Sequence, residues 1–236
     1  MESNYYIYCI SGQIGELPVG LKGFEDRDVI ILPYKDICAV ISPTDVTHYD
    51  AAFENLECHE KVANAVMDTG SILPMKFSTI LKSTDDVKKL LLKYYCQFEA
   101  NLNKIQGKIE LGIKIFYKID ALIKDEPKAG YSGKEYFLKK YNEYLENKNR
   151  LEPYLNMAGE IHNKLSRLSC ENCLSNPLKN NLIMNASYLV QRDIVDTFSE
   201  KVKLIKEEYN IFKIVYSGPW PPYHFVKVKE VGDEGE

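Results

Sequence analysis

The chain has 236 residues, 45% of them hydrophobic, 27% charged and 11% aromatic, with a formal net charge of −4. That length and apolar content suffice for one large or two small cores, and so weak a charge gives no global field to gather nucleic acid or anionic lipid. No apolar run approaches the ~20 residues that cross a bilayer, and Glu2 with no basic stretch ahead of the first apolar residues argues against an export signal.

Residues 5–11 and 29–42 read as strands rich in Ile, Val and Tyr. In the second stretch Pro33-Tyr34-Lys35-Asp36 separates Val29–Leu32 from Ile37–Ile41, the pattern of a hairpin. Ala51 to Met67 follows a helical pattern, with a cap expected near Asp50 and a stop at Gly70. Ser71–Phe77 reads as short and extended, and Pro74 argues against a central sheet position. Ser83-Thr84-Asp85-Asp86 opens the clearest helix of this half. Val87, Leu91, Tyr94, Phe98, Leu102 and Ile105 follow as one stripe on a 3.6-residue period, and Gly107 stops it.

At Lys108 the period changes. Ile109, Leu111, Ile113, Ile115 and Tyr117 alternate with Glu110, Gly112, Lys114 and Phe116, which is a half-buried strand. A second long helical pattern begins near Gly133 and carries Phe137, Tyr141, Tyr144, Lys148, Leu151, Leu155, Ala158, His162 and Leu165, with a kink expected at Pro153. Asn172 to Asn181 reads as a polar loop, Leu182–Gln191 as a strand, Asp193 to Glu208 as a helix, and Ile211–Ser217 as a strand. The acidic, Gly-containing tail is expected to be disordered.

The change of period predicts two α+β domains, 1–107 and 108–229, followed by the tail 230–236. The second reads β–α–loop–β–α–β. A short extra strand near 174–178 completes the ferredoxin-like plan, with an elaborated helical segment.

Cysteines stand at 9, 38, 58, 96, 170 and 173. A lone C-x-x-C, Cys170 and Cys173, lacks the four ligands of a zinc site, so it reads as a helix end. Cys9 and Cys38 read as buried thiols. Free thiols without an export signal point to the cytoplasm. There is no phosphate-binding glycine loop, no G-x-S-x-G and no H-E-x-x-H. His59 and His162 lie beside apolar helical stripes and read as edge-of-core residues. His48 has Asp45 and Asp50 as candidate partners, with no nucleophile indicated. The expectation is no catalytic residue, no metal and no cofactor.

The most specific stretch is Gly218-Pro219-Trp220-Pro221-Pro222-Tyr223, which holds the single Trp and three of the ten prolines. Each proline fixes φ and lacks an N–H, so the stretch leaves a strand on a stiff path and loses little entropy on docking. Trp220 then either plugs the chain's own core or serves as an aromatic knob for a partner.

This hexapeptide resembles the gas vesicle GvpL/GvpF family. So do Tyr5-Tyr6-Ile7-Tyr8-Cys9-Ile10 at the opening strand, Leu73-Pro74-Met75-Lys76-Phe77 as an "LP-x-[RK]-F" segment, and Lys108–Lys114 as a Glu/Lys-bearing strand. Tyr136–Lys140 and Asn185–Val190 are two further blocks, so the likeness spans nearly the whole chain. Lys76 stands where Arg is commoner, and His224 where a small polar residue is.

The resemblance implies two α+β domains and a non-enzymatic accessory protein of gas vesicle assembly. It would bind the hydrophobic wall protein, whose apolar surface is exposed before it polymerises, together with other accessory proteins. It would be cytoplasmic and vesicle-associated, with no nucleic acid and no membrane insertion. The partner-binding residues it suggests are Trp220, Pro221, Pro222, Tyr223, Lys76, Glu110 and Lys114. The residues alone read Glu110 and Lys114 as spaced charges on a solvated strand face. A generic scaffold or regulatory module, and less readily an enzyme on a ferredoxin-like scaffold, remain open readings, since fold does not fix function.

Overall fold

The computed structural model describes residues 3–117, 151–175 and 181–228. The chain divides into two compact units, Met1–Glu110 with the residues from Pro219 onward, and Leu111–Gly218. The helical positions expected at Phe137, Tyr141, Tyr144 and Lys148, the block at Tyr136–Lys140 and the tail 230–236 lie outside the described residues.

The first unit is a sheet of β1 (Asn4–Gly12), β2 (Ile30–Tyr34), β3 (Ile37–Thr44), β4 (Ile72–Pro74) and β5 (Ile80–Leu81), with α1 (Phe53–Met67) and α2 (Thr84–Ile105). Strand order is β2-β3-β1-β4, with β5 also on β1, and the pairings are antiparallel. Two-residue chemistry turns β2 into β3, with Lys35 at φ 53°. Pro33 falls within β2, where an edge position spares the N–H it lacks. Helix α2 begins where expected: the Ser83 hydroxyl accepts the Asp86 N–H at 3.1 Å. Gly107, at φ 70°, follows its end. Helix α1 differs from expectation at its start. Its N-cap is Ala52 with no side-chain cap, because Asp50 offers its main-chain carbonyl to Ala52 N–H and Asn55 instead of a capping carboxylate.

Strand β1 is buried on both faces and carries a bulge. Ile7 pairs with Ile41 and Cys9 with Val40, so Tyr8 is the extra residue. Simple alternation would put Ile7 and Ile10 on opposite faces. The bulge lets both join Ala39, Ile41 and Leu73 beneath the α2 stripe of Val87, Leu91, Tyr94, Phe98, Leu102 and Ile105. Tyr6 and Tyr8 are left to the other face, where α1 lies.

The second unit holds most of β6 (Lys108–Tyr117), a helix α3 over residues 151–166, β7 (Glu171–Ser175), β8 (Leu182–Gln191), α4 (Val195–Glu208) and most of β9 (Phe212–Trp220), with sheet order β7-β8-β6-β9. Phe198, Val202 and Ile205 of α4 and Ala158, Ile161 and Leu165 of α3 are buried. Three expectations change here. The extra strand expected near 174–178 lies at residues 171–175, pairing from Glu171↔Leu189 to Ser175↔Asn185, because the hairpin with β8 satisfies a backbone that composition from Asn172 onward marked as loop. Cys170 and Cys173 therefore do not end a helix: α3 stops at 166, and Cys173 lies inside β7. Strand β9 continues through Pro219 to Trp220, which an edge strand tolerates.

Candidate functional site

The chain beyond β9 forms a strap held on the first unit, whereas the sequence reading had placed it with the second. Pro221, Pro222 and Phe225 are buried, Trp220 is half-buried, and Tyr223 is 39% exposed. A tight turn links them: Tyr223 N–H donates to the Pro221 carbonyl at 2.7 Å and Phe225 N–H to that of Pro222 at 3.2 Å. Three polar clips fix the strap. Glu110 accepts the His224 N–H at 3.0 Å on Oε2 and faces His224 Nδ1 at 2.5 Å on Oε1. Lys104 Nζ donates to the Phe225 carbonyl at 3.0 Å. Asn101 donates to the Lys227 carbonyl at 3.0 Å and accepts the Lys227 N–H at 3.3 Å. Val226 packs against the α2 core.

Glu110 is therefore not on a solvated face. It is 3% exposed, because the strap covers it and supplies both of the donors that a buried carboxylate needs. Lys114 is exposed and belongs to the second unit. Lys76 is exposed in the turn after β4, where its carbonyl accepts the N–H and the hydroxyl of Thr79 at 3.2 and 2.5 Å. The structure thus brings together Glu110 and the strap that carries Trp220 to Tyr223. Sequence reasoning missed His224, Asn101 and Lys104. His224 was visible only as a departure from the family pattern.

A second feature that sequence reasoning missed is an aromatic nest on the α1 side of the sheet. Tyr6 and Phe24 have centroids 4.5 Å apart, Phe24 stacks on Tyr49 at 4.0 Å, and Phe77 meets His59 edge-on at 5.9 Å. Polar groups thread it. Tyr6 OH accepts the Ser78 N–H at 3.1 Å and lies 2.9 Å from His59 Nδ1, so its own proton is directed to that nitrogen. His59 Nε2 is buried with no hydrogen-bond partner. Burial holds the His59 pKa down at about 4. Tyr8 OH accepts the Phe24 N–H at 2.9 Å and meets Ser42 Oγ at 2.9 Å. Tyr49, bonded to Thr44 and Glu25, is pushed up to about 12, chiefly by burial. The backbone around the nest is strained: Glu25, Asp26 and Ser78 have φ of 57°, 53° and 63°. Gly23 has no freedom to carry a side chain, since a Cβ there would sit 2.1 Å from Tyr8 OH. The clue in the sequence was the run Tyr5-Tyr6-Ile7-Tyr8, whose faces the bulge rearranged.

Ser78 Oγ lies 3.0 Å from His48 Nδ1, and His48 Nε2 lies 3.6 Å from Asp50. The order of groups is that of a hydrolytic triad, but the side chains of His48 and Asp50 are 70% and 95% exposed. Ser78 Oγ already accepts the Tyr49 N–H at 2.9 Å. Water competes for each of these bonds, so the group braces a loop. The second unit has an open apolar groove of about 210 Å³ lined by Leu155, Ala158, His162, Leu174, Ile183 and Met184. Among the described residues no cluster of His, Cys, Asp or Glu is placed to hold a metal, and no helix is long and apolar enough to cross a membrane.

These features define a mixed α+β protein on two sheets, with an aromatic nest and a clipped Pro-Trp-Pro-Pro-Tyr strap. The chain belongs to the gas vesicle synthesis protein GvpL/GvpF family, whose model matches residues 4–227. It is 30% identical to gas vesicle protein F1 of Halobacterium salinarum, over 97% of this chain and 95% of that one. It is 27% identical to gas vesicle protein F of Haloferax mediterranei, over 99% and 98%. The crystal structure of GvpF from Anabaena sp. PCC7120 shares the fold, with a TM-score of 0.82, 23% identity, and coverage of 96% of this chain and 97% of that one.

Proposed function

We propose that this chain is a non-enzymatic accessory protein of gas vesicle assembly. It acts in the cytoplasm, binding the hydrophobic wall protein and other accessory proteins as the shell grows. The observation that carries this reading is the strap: Trp220 and Tyr223 are held partly exposed on a proline-stiffened backbone, whose anchor is the buried Glu110. A pre-ordered aromatic pair binds apolar surface without the cost of ordering a loop. Lys76 and Lys114, both exposed, supply cationic contacts to a partner in the same reading. The second unit, ordered β6–α3–β7–β8–α4–β9 with sheet order β7-β8-β6-β9, supports a ferredoxin-like domain serving as scaffold.

The test is co-purification of the wall subunit with the full chain and with Trp220→Ala and Tyr223→Ala, with thermal melts of each. Loss of an interface anchor weakens capture by roughly 2 kcal/mol or more while leaving the melt within a few degrees. Undiminished capture by both variants, or no capture by the native chain, defeats the reading.

A further inference from the structure

Two exposed helix faces of the first unit carry opposite charge. On α1, Phe53 is 75% and Leu56 37% exposed. Glu54, Glu57 and Glu60 are exposed beside them, with Asp50 just before the helix and Lys61 as the one opposing charge. On α2, Leu92 is 60% exposed. Lys88, Lys89 and Lys93 surround it, and Lys82 precedes the helix. Phe53, Leu56, Glu57 and Glu60 fall on one stripe of α1, and Lys88, Lys89 and Leu92 on one stripe of α2, by the i, i+3, i+4 rule. Lys88 and Lys89 contact Asp85 and Asp86 at 3.5 and 2.9 Å, but these intrahelical pairs are solvent-exposed and are exchanged at little cost.

The two faces cannot meet within one molecule. Ile7 of β1 packs under α2, and its neighbour Tyr6 meets His59 of α1. Adjacent strand residues point to opposite sides, so α1 and α2 lie on opposite faces of the same sheet. Their outer stripes point away from each other.

We propose that the acidic, Phe53-bearing face of α1 docks on the basic, Leu92-bearing face of α2 in a second copy of this chain. The occupant follows from charge complementarity: an acid-rimmed apolar stripe and a lysine-rimmed one stand on the two ends of the same helix–sheet–helix stack. Such a contact is head-to-tail, so each added copy presents a fresh α1 face at one end and a fresh α2 face at the other. A single helix pair buries less surface than a standard stable interface, so association is weak and reversible, and it depends on concentration and salt. The inference does not rest on the wall-protein reading, although Glu60 lies close enough to Tyr223 of the strap to add to the effect of burial in raising that phenol's pKa.

The test is sedimentation velocity on the purified full chain over a concentration series at low and high salt. The native chain should show a weight-average mass that climbs with concentration in ~50 mM salt and falls back in ~500 mM salt. Glu57→Lys with Glu60→Lys should weaken association roughly tenfold or more, as should Lys88→Glu with Lys89→Glu, because like charges then face each other. An equimolar mixture of the two double variants should associate again, since each then supplies the complement of the other. Phe53→Ser should weaken association without abolishing its salt dependence. All five substituted positions are exposed, and a melt matching that of the native chain confirms that the variants fold. A native chain that stays monomeric throughout overturns the proposal. So does association that survives both reversals, or double variants that fail to rescue one another.

Discussion

Acidification from pH 7 to pH 4 acts on His59 in a direction its surroundings fix. The imidazole is 3% exposed, one nitrogen is tied to Tyr6 at 2.9 Å, and the other has no partner to share a positive charge. Its folded pKa is about 4, against 6.5 unperturbed. Between those values the unfolded chain binds a proton that the folded chain refuses, so unfolding takes up protons and stability rises with pH. The contribution is complete above about pH 6.5 and is lost as pH falls. The loss is about 2 kcal/mol by pH 5 and about 3 kcal/mol near pH 4, at 1.36 kcal/mol per pKa unit. Urea denaturation followed by the fluorescence of the single Trp, on native protein and His59→Phe, isolates this from the carboxylates, which are common to both. The phenyl ring fits the aromatic nest and forfeits one hydrogen bond, so the variant should be about 1 kcal/mol less stable at pH 7. The gap should close and then reverse as pH drops below 6. Two stability curves that run parallel from pH 7 to 4.5 refute the reasoning.

Glu110→Ala strips the strap of its buried acceptor and leaves the His224 donors without it. A loss of roughly 2–3 kcal/mol follows, together with a red shift of Trp220 emission as the strap loosens; an unmoved emission maximum counts against the clip. Gly23→Ala drives a methyl to within 2.1 Å of Tyr8 OH, and should cost roughly 2–3 kcal/mol. Tyr8→Phe in the same chain should recover part of that, a coupling that a double-mutant cycle of melts reads directly. At Ser78, φ of 63° favours glycine, so Ser78→Gly should be more stable than Ser78→Ala by about 1 kcal/mol. Equal melting of the two variants refutes strain at that turn.

Local chemistry made some elements readable and hid others. The α2 stripe and the Gly107 stop were legible because a 3.6-residue period and a glycine at positive φ are written in neighbouring residues. Strand β7 was anticipated only as a short extra strand near 174–178 and starts earlier, at Glu171, since Glu171-Asn172-Cys173 has loop composition and becomes a strand only through pairing with β8. The α1 face of β1 was hidden by the bulge at Tyr8, a one-residue slip that breaks the alternation used to read a strand. In the candidate site, the stiffness of Trp220 to Tyr223 followed from the prolines. The burial of Glu110 did not, because its partner stands 114 residues away in sequence, and nothing local announces a contact of that span.

That separation also orders events during synthesis. The first unit precedes the second in sequence, yet Val226, which packs against its α2 core, is translated after the whole of the second unit. At 5–20 residues per second, the interval between Glu110 and its His224 partner is on the order of ten seconds. Throughout it, a carboxylate destined for burial stays wet and an apolar seam along α2 stays open. The earlier of the two units to leave the ribosome is thus the last to be finished, and a nascent chain interrupted at Gly218 would carry that seam uncovered.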